Sequence, residues 1–376
     1  MPVVIGVLRE TAEGEGRVAL VPEVVAKFAK LGLEVQLQSG AGDGAYFPDD
    51  AYEQATIKSD PDEILRAADI LLCVQPPTPE QAAQLKPDAC IAGFMQPHQQ
   101  QALLRLLCDK KLTSFAMELV PRISRAQSMD ALSSQAAIAG YQAVLIGAST
   151  LDKFVPMLTT AAGTIRPAQF LIIGAGVAGL QAIATARRLG AVVEGFDVRP
   201  ETAEQVESLG AKFVDTGVAA VGEGGYAREL TDEERHQQQA VLDKHIAKAD
   251  VVISTAAVPG RPAPKIISAA AVAQMKPGAV IVDLGAESGG NCELTKAGET
   301  VVTQGVRIIG PVNLPATIAT HASEMYARNL FNFLQPAVAE GKLSIDWEDE
   351  VFAGAVLTKD GDIAHEPTRK LVHGDD

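Results

Sequence analysis

Short runs of valine, isoleucine and leucine alternate with amphipathic stretches along nearly the whole chain, the pattern of strand-helix-strand units around parallel sheets. In the first half the runs are Val3 to Val7, Leu33 to Leu37, Ile70 to Val74, Ala89 to Phe94 and Leu112 to Met117. Helical stretches such as Pro22 to Leu31 lie between them, with proline near the start and Gly32 at the end. After Thr150 the rhythm restarts with Phe170 to Ile173, Val192 to Asp197, Ala211 to Val214, Asp250 to Ser254, Ala279 to Asp283 and Val306 to Ile309. The prediction is an α/β protein of two doubly wound parallel-sheet domains.

Two long helices are predicted to join them. Leu132, Ala136, Ala139, Ala143 and Ile146 mark one face of a first helix of about twenty residues. Ala322, Tyr326, Leu330 and Phe333 mark one face of a second, which begins after Pro315 and stops at Pro336. The first domain then comprises residues 1–130 with 335–376, and the second residues 131–334 including both linking helices. Such a two-rod linkage leaves an interdomain cleft, the usual address of a ligand. The segment Gly217 to Glu234, with four glycines and clustered charges, is long enough for a lid.

Composition narrows the function. A formal net charge of −15 over 376 residues repels phosphate backbones and anionic lipid, which argues against a nucleic-acid partner. The longest apolar stretch, Phe170 to Ala186, is broken by three glycines and Gln181, so no membrane insertion is expected. No basic, apolar leader precedes the first strand, and no secretory signal is expected. Cys73, Cys90, Cys108 and Cys292 are widely spaced without a C-x-x-C pair. They read as reduced core thiols of a cytosolic protein, and no metal site is expected.

Gly174-Ala175-Gly176-Val177-Ala178-Gly179 follows the strand Gln169 to Ile173 and opens a helix, Leu180 to Leu189, closed by Gly190. In a Rossmann-like turn Gly174 permits the bend, Gly176 lets a pyrophosphate approach the backbone, and Gly179 allows close helix-strand packing. The helix N-terminus attracts the phosphates. Eighteen residues after Gly179, at the end of the next strand, stands Asp197, placed to accept from an adenosine ribose and to repel a 2′-phosphate. The expected ligand is NAD(H), not NADP(H); Arg199 tempers this, since an arginine there suits a phosphate.

A second cluster, Arg122-Ile123-Ser124-Arg125-Ala126-Gln127-Ser128-Met129-Asp130-Ala131-Leu132-Ser133, sits where the first domain meets the linking helix. One reading is a well-capped helix start, with Ser128 as cap and Asp130 in the first turn. The other is a site for a nicotinamide carboxamide, which needs both donors and acceptors.

Together, Arg122 to Gln135, the Gly174 to Gly179 turn and Ala184-Thr185-Ala186-Arg187-Arg188-Leu189-Gly190-Ala191 resemble the NAD(H)-binding domain I of proton-translocating nicotinamide nucleotide transhydrogenases, the soluble part of the α subunit. The resemblance runs from Arg9-Glu10 and Arg17-Val18-Ala19-Leu20 to Trp347-Glu348-Asp349-Glu350. It implies that Arg122, Gln127, Asp130 and Ser133 surround the nicotinamide, with Arg125, Ser128 and Met129 beside them. It also implies that Val177 contacts the pyrophosphate and that Asp197, Val198 and Arg199 hold the adenosine. A mobile loop with Gly225 and Tyr226 would close over the nucleotide, with Gln238 just beyond and Ala257 near the bound ligand. The family's activity is Re/Si-specific hydride transfer from NADH to NADP⁺. By resemblance, NADP(H) sits on domain III of a partner β subunit, proton passage runs through a separate membrane domain, and this chain is a homodimer peripheral on the cytoplasmic face of the membrane.

Alanine dehydrogenase shares the architecture and is the alternative. By resemblance that enzyme binds its keto acid and moves protons with a lysine and a histidine, plus an aspartate before a Gly-Gly pair. The corresponding segments here are Cys73-Val74-Gln75-Pro76, Phe94-Met95-Gln96-Pro97 and Glu287-Ser288-Gly289-Gly290. Glutamines replace both proton-handling groups, and glutamine is no general acid or base near neutral pH. Arg17, the carboxylate-holding group in that relative, is retained, and of the six scattered histidines only His98 lies nearby. A third reading is a non-enzymatic NAD-sensing module.

Overall fold

Consecutive branched residues in a strand send alternate side chains to opposite faces, and both faces must be covered. In the computed structural model, which describes residues 2–218, 231–256 and 262–373, both sheets obey this rule. Ile70 and Leu72 enter one core of the first sheet while Leu71 enters the other, and Phe170 and Ile172 part from Leu171 and Ile173 in the second. The chain divides into two units, Met1–Gln135 with Pro315–Asp376, and Ala136–Leu314.

The first unit holds an eight-stranded sheet, in the order Asp362–Ile363, Val356–Lys359, Thr113–Ala116, Cys90–Gly93, Ile70–Leu72, Val4–Val7, Glu34–Gln38 and Thr56–Lys58. Six strands are parallel; the two from the tail pair antiparallel at one edge. The second sheet runs Lys212–Phe213, Val192–Phe196, Gln169–Ile173, Val251–Ser254, Val280–Asp283, Val306–Ile309 and Thr300–Thr303. All pairings are parallel except the last, and the order reverses beside Gln169–Ile173, the switch point where α/β sheets take ligands.

Both long helices form, as Ala131–Thr150 and Ala319–Leu334. The second buries Ala322, Tyr326, Leu330 and Phe333 as the periodicity predicts. It does so in the core of the first unit, against Phe28 and Phe115, and groups with that unit rather than with the second. The first helix differs from expectation: Leu132 is 37% exposed, while Ala131, Gln135, Ile138, Ala143 and Val144 are buried. Its sequence is apolar nearly all round, so periodicity does not single out a face. Gly140 matters there, because a Cβ would fall on the Ala178 carbonyl.

Candidate functional site

In the second unit the glycine turn is held at several points. Gly174, at φ +95°, donates its N–H to Phe196 O at 2.8 Å, and Thr255 Oγ1 donates to Gly174 O at 3.1 Å. The helix it opens is Val177–Arg188, three residues earlier than the sequence suggests, with no side chain capping it. Gly179 is buried against Gly174, whose carbonyl a Cβ would strike, whereas a Cβ on Gly176 would meet nothing within 4 Å. Val177 is exposed. An open backbone at an uncapped helix N-terminus fits a phosphate-bearing ligand.

Asp197 does more than the motif suggests. Its Oδ2 accepts the Ala175 N–H at 2.7 Å and so fixes the turn. Its two oxygens also accept from Arg199 Nε and Nη2, each at 2.9 Å, and Oδ1 takes the Arg199 N–H. Burial alone would raise this carboxyl, but Arg199 and the two backbone N–H groups outweigh it and hold it below the usual carboxylate range. Arg199 is therefore turned onto Asp197. Val198 is partly buried beside the core, and Gln238, on the helix Asp232–Lys248, has a buried Nε2 with no hydrogen-bond partner among the described residues.

The second cluster lies in the first unit, as a 3₁₀ turn, Ser124–Met129, leading into the long helix. Asp130, not Ser128, caps that helix: its carboxylate accepts Ser133 N–H at 2.8 Å and Ser133 Oγ–H at 2.5 Å. Ser128 instead offers its carbonyl to Asn329 and Asn332. Arg125 reaches neither Asp130 nor the turn; its guanidinium is bidentate on Asp349, at 2.6 and 2.9 Å, and also meets Glu350. Met129 is buried in the core. Arg122 and Gln127 are exposed, and neither side chain hydrogen-bonds among the described residues. The structure thus brings Asp130 and Ser133 together and leaves Arg122 and Gln127 open. Gly225, Tyr226, Ala257 and most of the Gly217 to Glu234 segment lie outside the described residues.

Beneath the first unit's strand ends is a polar cluster whose wiring the sequence does not disclose. Arg17 is bidentate on Glu15, through Nε at 2.7 Å and Nη2 at 2.6 Å, and its Nη1 donates to Gln135 at 2.9 Å. Gln75 donates to Glu15 and accepts from Gln96, both at 2.8 Å. Glu118 accepts the Met95 and Gln96 N–H groups, and Glu10 accepts those of Val74 and Gln75. Glu287 accepts the Asn313 N–H at 2.5 Å in the other unit. Only Glu15, two residues before Arg17, had a signal in the sequence.

Burial, aided by the nearby Glu15 charge, pushes Glu10 up to about 7 against the pull of its two N–H donors and Arg17. The folded chain therefore holds this proton more tightly than the unfolded chain does. Its contribution to stability is complete below about pH 4.5 and is lost as the pH rises through 7. Urea midpoints measured from pH 5 to 8 should show a decline between 5 and 7 that Glu10→Gln flattens; an identical slope in the variant rejects the assignment.

A glycine-rich dinucleotide turn at the switch point of a Rossmann-type sheet defines the class, and comparison with known proteins agrees. Residues 6–139 match the alanine dehydrogenase/PNT N-terminal domain and residues 143–366 the C-terminal domain of the same pair. The chain belongs to the alanine dehydrogenase/PNT family. It is 46% identical over 374 residues to an NAD(P) transhydrogenase subunit alpha chain of Rhodospirillum rubrum, covering 96% of this chain and 97% of that protein. Against the alanine dehydrogenase of Mycobacterium tuberculosis the identity is 30% over 291 residues, 76% of this chain and 73% of that one. The crystal structure of a transhydrogenase from Sinorhizobium meliloti superposes with a TM-score of 0.87 at 44% identity, over 96% of this chain and 99% of that chain.

Proposed function

We propose that this chain is the NAD(H)-binding subunit of a proton-translocating transhydrogenase. In this reading it holds NADH for direct, Re/Si-specific hydride transfer to NADP⁺ bound on domain III of a partner β subunit. The observation that carries it is the turn fixed by Asp197: an open Gly176 at an uncapped helix start, with a carboxylate at the next strand end. Asp197, Val198 and Arg199 would hold the adenosine ribose, Val177 the pyrophosphate, and Gln238 has an amide N–H to offer. Arg122, Gln127, Asp130 and Ser133, with Arg125, Ser128 and Met129 behind them, would orient the nicotinamide. Gly225, Tyr226 and Ala257 would close the site.

A bound dihydronicotinamide supplies the hydride, so the chain's own residues need only hold the ring aligned, about 3 to 3.5 Å from its acceptor. No side chain has to move a proton. That agrees with the Gln75–Gln96 amide pair, and Arg17 already carries Glu15 on its fork. Transfer between like rings is nearly isoenergetic, so net drive would come from differential nucleotide binding coupled to proton passage through the membrane domain. Among the described residues no helix is long and apolar enough to cross a membrane. The chain would sit as a homodimer, peripheral on the cytoplasmic face.

The test pairs the full chain with an NADP-binding domain III and measures hydride exchange between NADH and NADP⁺. Exchange should require both proteins, and Asp197→Ala should weaken NADH roughly ten- to a hundredfold, the range for hydrogen bonds to a charged acceptor. Rapid NADH consumption with pyruvate and ammonia, in the absence of any partner, would establish the alanine dehydrogenase reading instead.

A further inference from the structure

A cavity of about 100 Å³ opens beside Asp197, bounded by Val198 and Pro200 on one side and by Asp215 and Thr216 on the other. The motif assigns rejection of a 2′-phosphate to Asp197. Here, however, that carboxylate is bidentate on Arg199 and its charge is matched within the chain. Asp215 is different. It is exposed, its Oδ1 accepts only the Gly217 N–H at 2.8 Å, and it forms no ion pair among the described residues. Glu201 adds a further negative charge near Arg199.

We propose that Asp215, across this cavity from the Asp197–Arg199 pair, is the residue that sets the preference for a dinucleotide without a 2′-phosphate. The inference rests on the proposed dinucleotide site. A phosphate monoester brings close to two negative charges near neutral pH, and an unmatched carboxylate lining its cavity repels it, while the uncharged 2′-hydroxyl of NAD(H) is indifferent. Asp197 would then serve the ribose and the turn, and Asp215 the discrimination.

The full chain and its Asp215→Asn and Asp215→Ser variants are titrated with NADH and with NADPH, at low salt and at about 0.5 M. Both replacements retain an acceptor for the Gly217 N–H, so the turn survives. NADPH should bind about tenfold more tightly to each variant at low salt, NADH should change by less than about twofold, and the gain should shrink at high salt. An unchanged NADPH-to-NADH ratio, or equal tightening of both, overturns the role of Asp215 and leaves the site reading intact. Failure of the unaltered chain to bind NADH overturns the site reading, and this inference with it.

Discussion

Replacing Gly179 by alanine should cost the second unit about 3 kcal/mol, the upper range for overpacking, and abolish NADH binding. The added methyl would strike the carbonyl of Gly174 and crowd Thr255, and neither gives way readily. Gly174 is fixed through Phe196 and Ala175 through Asp197, while Thr255 Oγ1 is bonded to the two carbonyls of the turn. Gly176→Ala provides the contrast. Its φ of −77° suits any residue and its surroundings are open, so chemical unfolding should register almost no change. NADH affinity should nevertheless fall, because the methyl would occupy the approach to the backbone. Equal stability of the two variants, by urea unfolding, would disprove the packing argument. Equal NADH affinity of Gly176→Ala and the unaltered chain would disprove the phosphate role.

The second large effect is expected at Arg17→Met. The side chains of Arg17 and Glu15 are 3% and 0% exposed, and their pairing ties Gln75 and Gln135 into one network. Removing the guanidinium leaves a carboxylate in the interior without its counter-charge, a loss of about 3 to 5 kcal/mol. Glu15→Gln combined with Arg17→Met should recover much of it, since no charge then stays behind. Trp347, the sole tryptophan, makes the measurement selective: it stacks on Phe115 in the first unit with Lys359 Nζ 3.9 Å above its ring. Its fluorescence should report the lowered urea midpoint directly. If the single variant matched the unaltered chain, the buried pair would have no structural weight.

Much of this architecture was legible in the residues. Central strands announce themselves as Val/Ile/Leu runs because both faces are covered, and the Gly174 turn with Asp197 is a local pattern whose spacing survives folding. Edges were not legible. Thr56–Lys58 and Thr300–Thr303 have polar, half-exposed positions, and the hairpin Leu158–Thr160 with Gly163–Ile165 is largely exposed, so no apolar run marks them. Long-range pairing was hidden as well: Arg125 looks like a ligand contact until Asp349, 224 positions away, takes its guanidinium. The cap moved from Ser128 to Asp130 because the 3₁₀ turn delays the helix by a residue or two, which propensity alone does not resolve. At Asp197 the motif identified the residue but not its neighbour's hold on it.

The tail strands at the edge of the first sheet bear on how the chain is made. Thr358 pairs with Ser114 across 244 positions, so the sheet begun by Val4 to Val7 stays unfinished until nearly all of the polypeptide has left the ribosome. The second unit, encoded without interruption, has every strand in hand long before. Synthesis from the N-terminus therefore inverts the order of maturation: the middle of the message folds first, and its two ends, waiting on one another, fold last.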